Sequence, residues 1–172
     1  MPSDAAAPSP GSVRHVYGSP DARVTVVEFG DLECPHCRAA APVLRTLVDA
    51  SDGAVRLVWR HFPLFEVHPH ALTAALAAEA FGAHGRFWEL HDAAFAHQDH
   101  LADPDLRRYA VEAGIDPDEV VGQAAQRWAP AVEADYLDGL SHGVAGTPTL
   151  LVDGEPYRGP LTLPALRAAT AS

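Results

Sequence analysis

The sequence predicts an α/β fold: a strand-helix-strand unit, a long helical insertion, then a closing hairpin and helix. Three observations carry this. A β-branched run, Val24 to Phe29, passes directly into a stretch of helical periodicity and then into a second apolar run, Val55 to Phe62. Helical patterns fill roughly residues 70 to 142. Asp153-Gly154 interrupts a short apolar run and is the strongest two-residue hairpin signal.

Taken in order, residues 1–12, "MPSDAAAPSPGS", read as a flexible tail. They carry no positive residue ahead of an apolar core and no run of about 7 to 15 apolar residues, so no secretory signal is expected. The protein is expected in the cytoplasm, or exported if a leader has been removed. Residues 13–172 are expected to form one domain, with the helical insertion at about 68–142. Val24 to Phe29 is too continuous for a strand with one wet face and should lie centrally in a sheet. The helix after it carries Val43, Leu44, Leu47 and Val48 at helical spacing, with Pro42 inside the pattern as a kink. Strand, helix, strand in this order makes a right-handed parallel crossover.

In the insertion, Phe87, Trp88, Leu90, Ala94 and Phe95 repeat with helical period, and a break is expected near Gly85. Both "ADPDL" and "IDPDEV" place Asp before Pro, an N-cap followed by an N1 proline, and Glu119 completes a capping-box pattern with Asp116. A last helix of the insertion, about 129–142, carries Val132, Tyr136 and Leu140. After the hairpin, "LTLPALRAATA" closes the chain as a helix with Thr162 as N-cap. Trp59, Trp88 and Trp128 are read as core or groove-lining residues.

Composition excludes several classes of function. At 172 residues a single core suffices without disulfides or a structural metal. No run of about 18 apolar residues exists to span a membrane. A net charge of −11 repels phosphate backbones and anionic lipid, so neither nucleic acid nor a membrane surface is an expected partner.

Chemistry concentrates in "CPHC". Cys34 and Cys37 are the two cysteines of the chain, spaced i, i+3 where a strand becomes a helix. That spacing puts both thiols on one helical face, within reach of a reversible disulfide. Unpaired N–H groups and the helix dipole stabilise a thiolate at a helix N-terminus, which assigns Cys34 as nucleophile and Cys37, one turn deeper, as resolving thiol. Pro35 suits N1, and His36 can add positive charge or a donor toward the thiolate.

"VVEFGDLECPHC", followed by "RHFPL", "HPHALTAALAAEAFGAHGRFWELHDAAF" and "GTPTLLVDG" in that order, resembles the DsbA-like family of disulfide oxidoreductases over about residues 16–170. The resemblance implies a thioredoxin fold with an inserted α-helical domain and thiol-disulfide exchange with protein or peptide thiols, served by a redox partner. It implies a cis-proline loop at Thr147-Pro148, facing the cysteines and pairing with an extended substrate. It also implies that Glu28 is a buried acid relaying a proton for Cys37. No cofactor is implied, and oxidase, reductase and isomerase directions stay open.

Other readings remain beside this one. The cysteines could be a zinc half-site, although structural zinc usually takes four ligands and no second CxxC exists. His68, His70, His97 and His100 read as scattered surface histidines, and no metal site is expected. The chain could be a non-catalytic peptide- or metal-binding module, or an enzyme acting on small glutathione conjugates.

Overall fold

The computed structural model describes residues 13–171, so the expected tail lies outside the described residues. A two-residue strand β1, Val16–Tyr17, precedes strand β2, Val24–Gly30; helix α1, Pro35–Asp49, then leads to strand β3, Val55–His61. Helices α2 (Ala71–Ala83), α3 (Phe87–Ala96) and α4 (Asp103–Glu112) follow, then short turns and helix α5 (Gly122–Ala125), and helix α6 (Ala129–Ser141). Strands β4 (Thr149–Val152) and β5 (Glu155–Tyr157) and helix α7 (Leu163–Thr170) complete the chain. The five-stranded sheet has order β1-β3-β2-β4-β5; β2 and β3 are parallel and every other pair is antiparallel. This is the thioredoxin fold that the resemblance implies, with helices α2–α6 between β3 and β4.

Alternation along β2 divides the core. Val24 and Val26 pack with Val55 and Leu57 of β3 against Ala40, Leu44, Leu47 and Val48 of α1 and Leu166 of α7. Phe29, on the opposite face, packs with Phe62, Leu151 and Val144. Each of these leucines, wholly removed from water, contributes about 1.5–3 kcal/mol. Glu28 keeps the phase of Val24 and Val26, so its carboxyl enters the layer beneath α1. At the end of β2, Trp59 crosses over Gly30 so closely that a Cβ there would lie 2.3 Å from the indole. No residue but glycine admits that packing.

The hairpin forms as expected: Asp153 and Gly154 take φ of +48° and +85°, the two positive angles of a type I′ turn. The break at Gly85 is present, and α1 runs unbroken through Pro42. Other local expectations are corrected. The N-cap of α4 is Ala102, not Asp103; Asp105 supplies the stabilising carboxylate by accepting from the Ala102 N–H at 3.2 Å. Asp116 does cap, but it caps a three-residue 3₁₀ turn, and Glu119 bonds His84 instead of completing a capping box. Thr162 takes the N-cap position of α7 without a side-chain cap bond, and Leu140 is exposed on α6.

Helix α2 is buried on all sides from Ala74 to Phe81, because alanine lets neighbouring elements approach closely. Its one acid, Glu79, anchors a buried ionic cluster. Arg14 donates to Glu79 at 3.0 Å and to Asp135 of α6 at 2.9 Å, while His15 meets the same Glu79 oxygen at 2.7 Å. Asp135 also accepts from the His61 backbone N–H at 3.1 Å and pairs with Arg60. These bonds tie the segment before β1, the end of β3, α2 and α6 together, and so fix the helices over the strand ends where the cysteines lie.

Candidate active site

The turn from β2 into α1 presents the two cysteines. Cys34 is the N-cap and Pro35 occupies N1, where its missing N–H leaves no bond unmade. Pro35 and His36 are exposed, whereas Cys34 and Cys37 are both buried. Cys34 is thus buried even though it lies at the helix terminus. The Thr147-Pro148 loop, whose peptide bond is cis, lies against it, and the Cys34 thiol donates to the Thr147 carbonyl at 3.6 Å.

The electrostatics of the pair are asymmetric. Cys34 is lowered to about 5, first because the Cys37 thiol donates a hydrogen bond to its thiolate. Burial opposes this, and the Thr147 side chain and the backbone of Cys37 and His36 add to it. Of the two roles open to His36, charge or donor, it is the donor that contributes, through its backbone N–H. Cys37 is raised, because it holds the proton shared with Cys34, because it is buried, and because Glu28 lies nearby.

Glu28 is 1% exposed and neither carboxyl oxygen has a hydrogen-bond partner among the described residues. Burial first, then the Cys34 charge, pushes it up to about 8. A buried acid that holds its proton near neutrality and carries no structural bond can accept or release a proton without disturbing its surroundings. The Thr147 hydroxyl is likewise buried without a partner among the described residues in the thiol form, and is placed to donate once Cys34 ionises.

Further residues here escaped sequence reasoning. Asp31 is buried; its Oδ2 accepts from the Leu64 N–H at 2.9 Å and meets His68 Nδ1 at 2.7 Å, and its Oδ1 accepts from the Glu33 N–H at 2.7 Å. Glu33 in turn accepts from the His70 N–H at 2.6 Å. The segment after β3 is thereby latched onto the redox turn. His68, read from sequence as a surface histidine, is raised: burial opposes, but the Asp31 bond and charge prevail, with a smaller contribution from Cys34. Gln98, just beyond α3, donates to the carbonyls of Leu32 at 3.1 Å and Cys34 at 2.9 Å. The signal for both acids was their position in "GDLEC", immediately before the helix; nothing local marked Gln98.

Beside Thr147 and Pro148 opens a cavity of about 420 Å³, also lined by His142, Gly146, Tyr157 and Arg158. Away from the cysteines, ligand atoms of His15, His61 and Glu79 lie within 4.8 Å of one another, the composition of a metal site. Two features argue against that use. The Trp59 indole donates to His61 Nδ1 at 3.1 Å, which leaves the proton on Nε2, the nitrogen facing Glu79. The Arg14 guanidinium, moreover, lies 3.0 Å from the shared Glu79 oxygen, where it would repel a cation.

Known proteins resemble this chain in sequence and in fold. Over 159 residues the chain is 45% identical to a Na(+)/H(+) antiporter, NhaA 3, of Salinispora tropica, an alignment covering 92% of this chain but 24% of that protein. The chain thus spans about a quarter of the length of such relatives. A thioredoxin-like oxidoreductase from Silicibacter pomeroyi superposes with a TM-score of 0.78 at 29% identity, covering 91% of this chain and 90% of that one. The thiol-disulfide exchange protein alpha-DsbA2 of Wolbachia pipientis has the same fold, with a TM-score of 0.77 at 24% identity over 92% of this chain and 86% of its own. A strand-to-helix turn bearing both cysteines, a buried acid beneath it and a proline loop against it agree with the match of residues 12–170 to the thioredoxin family model: the chain belongs to the thioredoxin family.

Proposed function

We propose that the protein is a thiol-disulfide oxidoreductase acting on protein or peptide thiols and disulfides through Cys34 and Cys37. The observation that carries this is the placement of Cys34 at the start of α1, with its sulfur against the Thr147-Pro148 loop and the Cys37 thiol one turn on, an arrangement that lowers Cys34 to about 5. The thiolate attacks one sulfur of a substrate disulfide; that S–S bond breaks, a substrate thiolate leaves, and a mixed disulfide forms at Cys34. Once the Cys34 sulfur is covalently occupied, it no longer holds the Cys37 proton. Loss of the Cys34 charge removes one of the two causes that keep Glu28 protonated, so Glu28 ionises, its proton passing to the departed substrate thiolate. The carboxylate then takes the Cys37 proton, and the Cys37 thiolate attacks Cys34 and expels the second substrate thiolate. Two electrons have passed to the substrate, and the enzyme carries a Cys34–Cys37 disulfide. Reversal of the same steps oxidises a dithiol. The cavity beside Thr147 and Pro148 suits the flanking chain of an extended substrate.

Cys37→Ala is expected to accumulate mixed disulfides on Cys34, seen as reductant-sensitive adducts by mass spectrometry, and Cys34→Ala to form none. Absence of adducts with every disulfide substrate tried would turn the assignment toward a binding module.

A second reading comes from the relatives. In the Salinispora tropica protein the matching segment is part of a chain described as a Na(+)/H(+) antiporter. The disulfide partner on this reading is a membrane transporter, although no helix among the described residues is itself long and apolar enough to cross a membrane. The Cys37→Ala trap, applied to membrane fractions, would recover an antiporter. Capture of soluble thiols alone would exclude it.

A further inference from the structure

The redox turn is held from two sides. Its N–H groups are met by Asp31: Glu33 N–H by the Asp31 carboxylate, and Cys34 N–H by the Asp31 backbone carbonyl at 3.1 Å. Its carbonyls are met by one group from outside the strand-helix unit. The Gln98 amide nitrogen has two protons, and the two carbonyls before it, Leu32 and Cys34, can only accept, so the fork fixes which end of the amide faces them. The Cys34 carbonyl simultaneously accepts from the Arg38 N–H at 3.1 Å, the first helical bond of α1. Gln98 therefore grips the peptide that joins the reactive cysteine to its helix.

We propose that Gln98 is a positioning residue for the redox pair: by donating to the Leu32 and Cys34 carbonyls, it orients the Cys34 peptide so that the N–H groups opening α1 point at the Cys34 sulfur. This rests on the reading of Cys34 as the exchanging thiol, but it concerns how the thiolate is held rather than what the thiolate attacks. The consequence is specific. With the fork removed, the first turn of α1 keeps its own hydrogen bonds and the protein its fold, while the turn before it gains freedom and the sulfur loses aligned donors.

The test uses Gln98→Met, uncharged and of similar length but without donors, and Gln98→Asn, which keeps the amide one methylene short. Alkylation of Cys34 is followed across pH in the reduced protein, with thermal unfolding measured in parallel. Both variants are expected to shift the alkylation profile upward by about one pH unit or more, which lowers the rate at pH 5 about five-fold. A profile unchanged in folded variants would overturn the positioning role and leave only a structural one. Because the readout is the profile of the thiol and not turnover, the shift would stand even where no protein disulfide is exchanged, and disulfide exchange would stand even where the profile fails to move.

Discussion

Glu28 and Glu79 are the same residue type at nearly the same depth, 1% and 3% exposed, yet they titrate in opposite directions. Glu28 has no hydrogen-bond partner among the described residues and rises to about 8. For Glu79 burial also raises, but bonds from His15 and His61 overturn it and the group falls well below the carboxylate range. Depth sets the penalty on a charge; partners decide whether the charge survives it. The helical side of the molecule holds a buried charge with its partners in place, and the redox corner holds a buried acid deliberately without them. Structure and chemistry have drawn on one side chain for two uses.

The comparison can be broken most sharply at Glu79. Glu79→Ala leaves Arg14 and two histidines without their acceptor and is expected to cost about 3–5 kcal/mol in denaturant unfolding. Because the folded group is depressed, its contribution is present above the ordinary pKa of 4.5 and is lost as pH falls, so the cost should shrink in acid. A cost below about 1 kcal/mol at pH 7 would show that the cluster is not what holds the charge.

Glu28→Leu should have the opposite sign, gaining about 1–3 kcal/mol by removing unpaired buried oxygens. As a raised acid, Glu28 stays protonated in the fold while the unfolded chain ionises. The gain should therefore be small near pH 4.5 and grow toward pH 8. The same variant should slow resolution of the mixed disulfide, since Cys37 loses its proton acceptor. Equal stability across this pH range would mean that Glu28 is solvated.

His68→Ala tests an intermediate case, a partly exposed pair with Asp31, and should cost about 1 kcal/mol. The folded histidine is raised above 6.5, so the loss should be full below that pH and fade as pH rises through the folded value. The smallest effect is expected from Arg107→Ala, which removes an exposed pair with Asp118 and should move stability by less than about 1 kcal/mol.

What the sequence made legible was local. The β-branched run of β2, the helical start at Cys34, the break at Gly85 and the Asp153-Gly154 hairpin all sit within a few residues of their signals, and the structure has each. What escaped was set by distance along the chain. Arg14 and Asp135 meet across 121 positions, and Gln98 reaches Cys34 across 64, so neither partner leaves a periodic trace. Strand β1 is two residues long, too short to show alternation. Burial of Cys34 depends on a loop 113 residues away. The proposed role of Glu28 was accessible only through the resemblance; its position in the β2 alternation gave its face but not its missing partners.

The outermost strands deserve a closing thought. β1 pairs through two residues, and β5 through three, of which Pro156 has no N–H to offer. A sheet that ends in a full-length strand is a template, and any extended chain passing by can add itself to it. A protein proposed to handle extended thiol-bearing chains meets such passers-by in the course of its work. With both margins this abbreviated, captured chains have little to zip onto, and each encounter is steered toward the sulfur and away from aggregation.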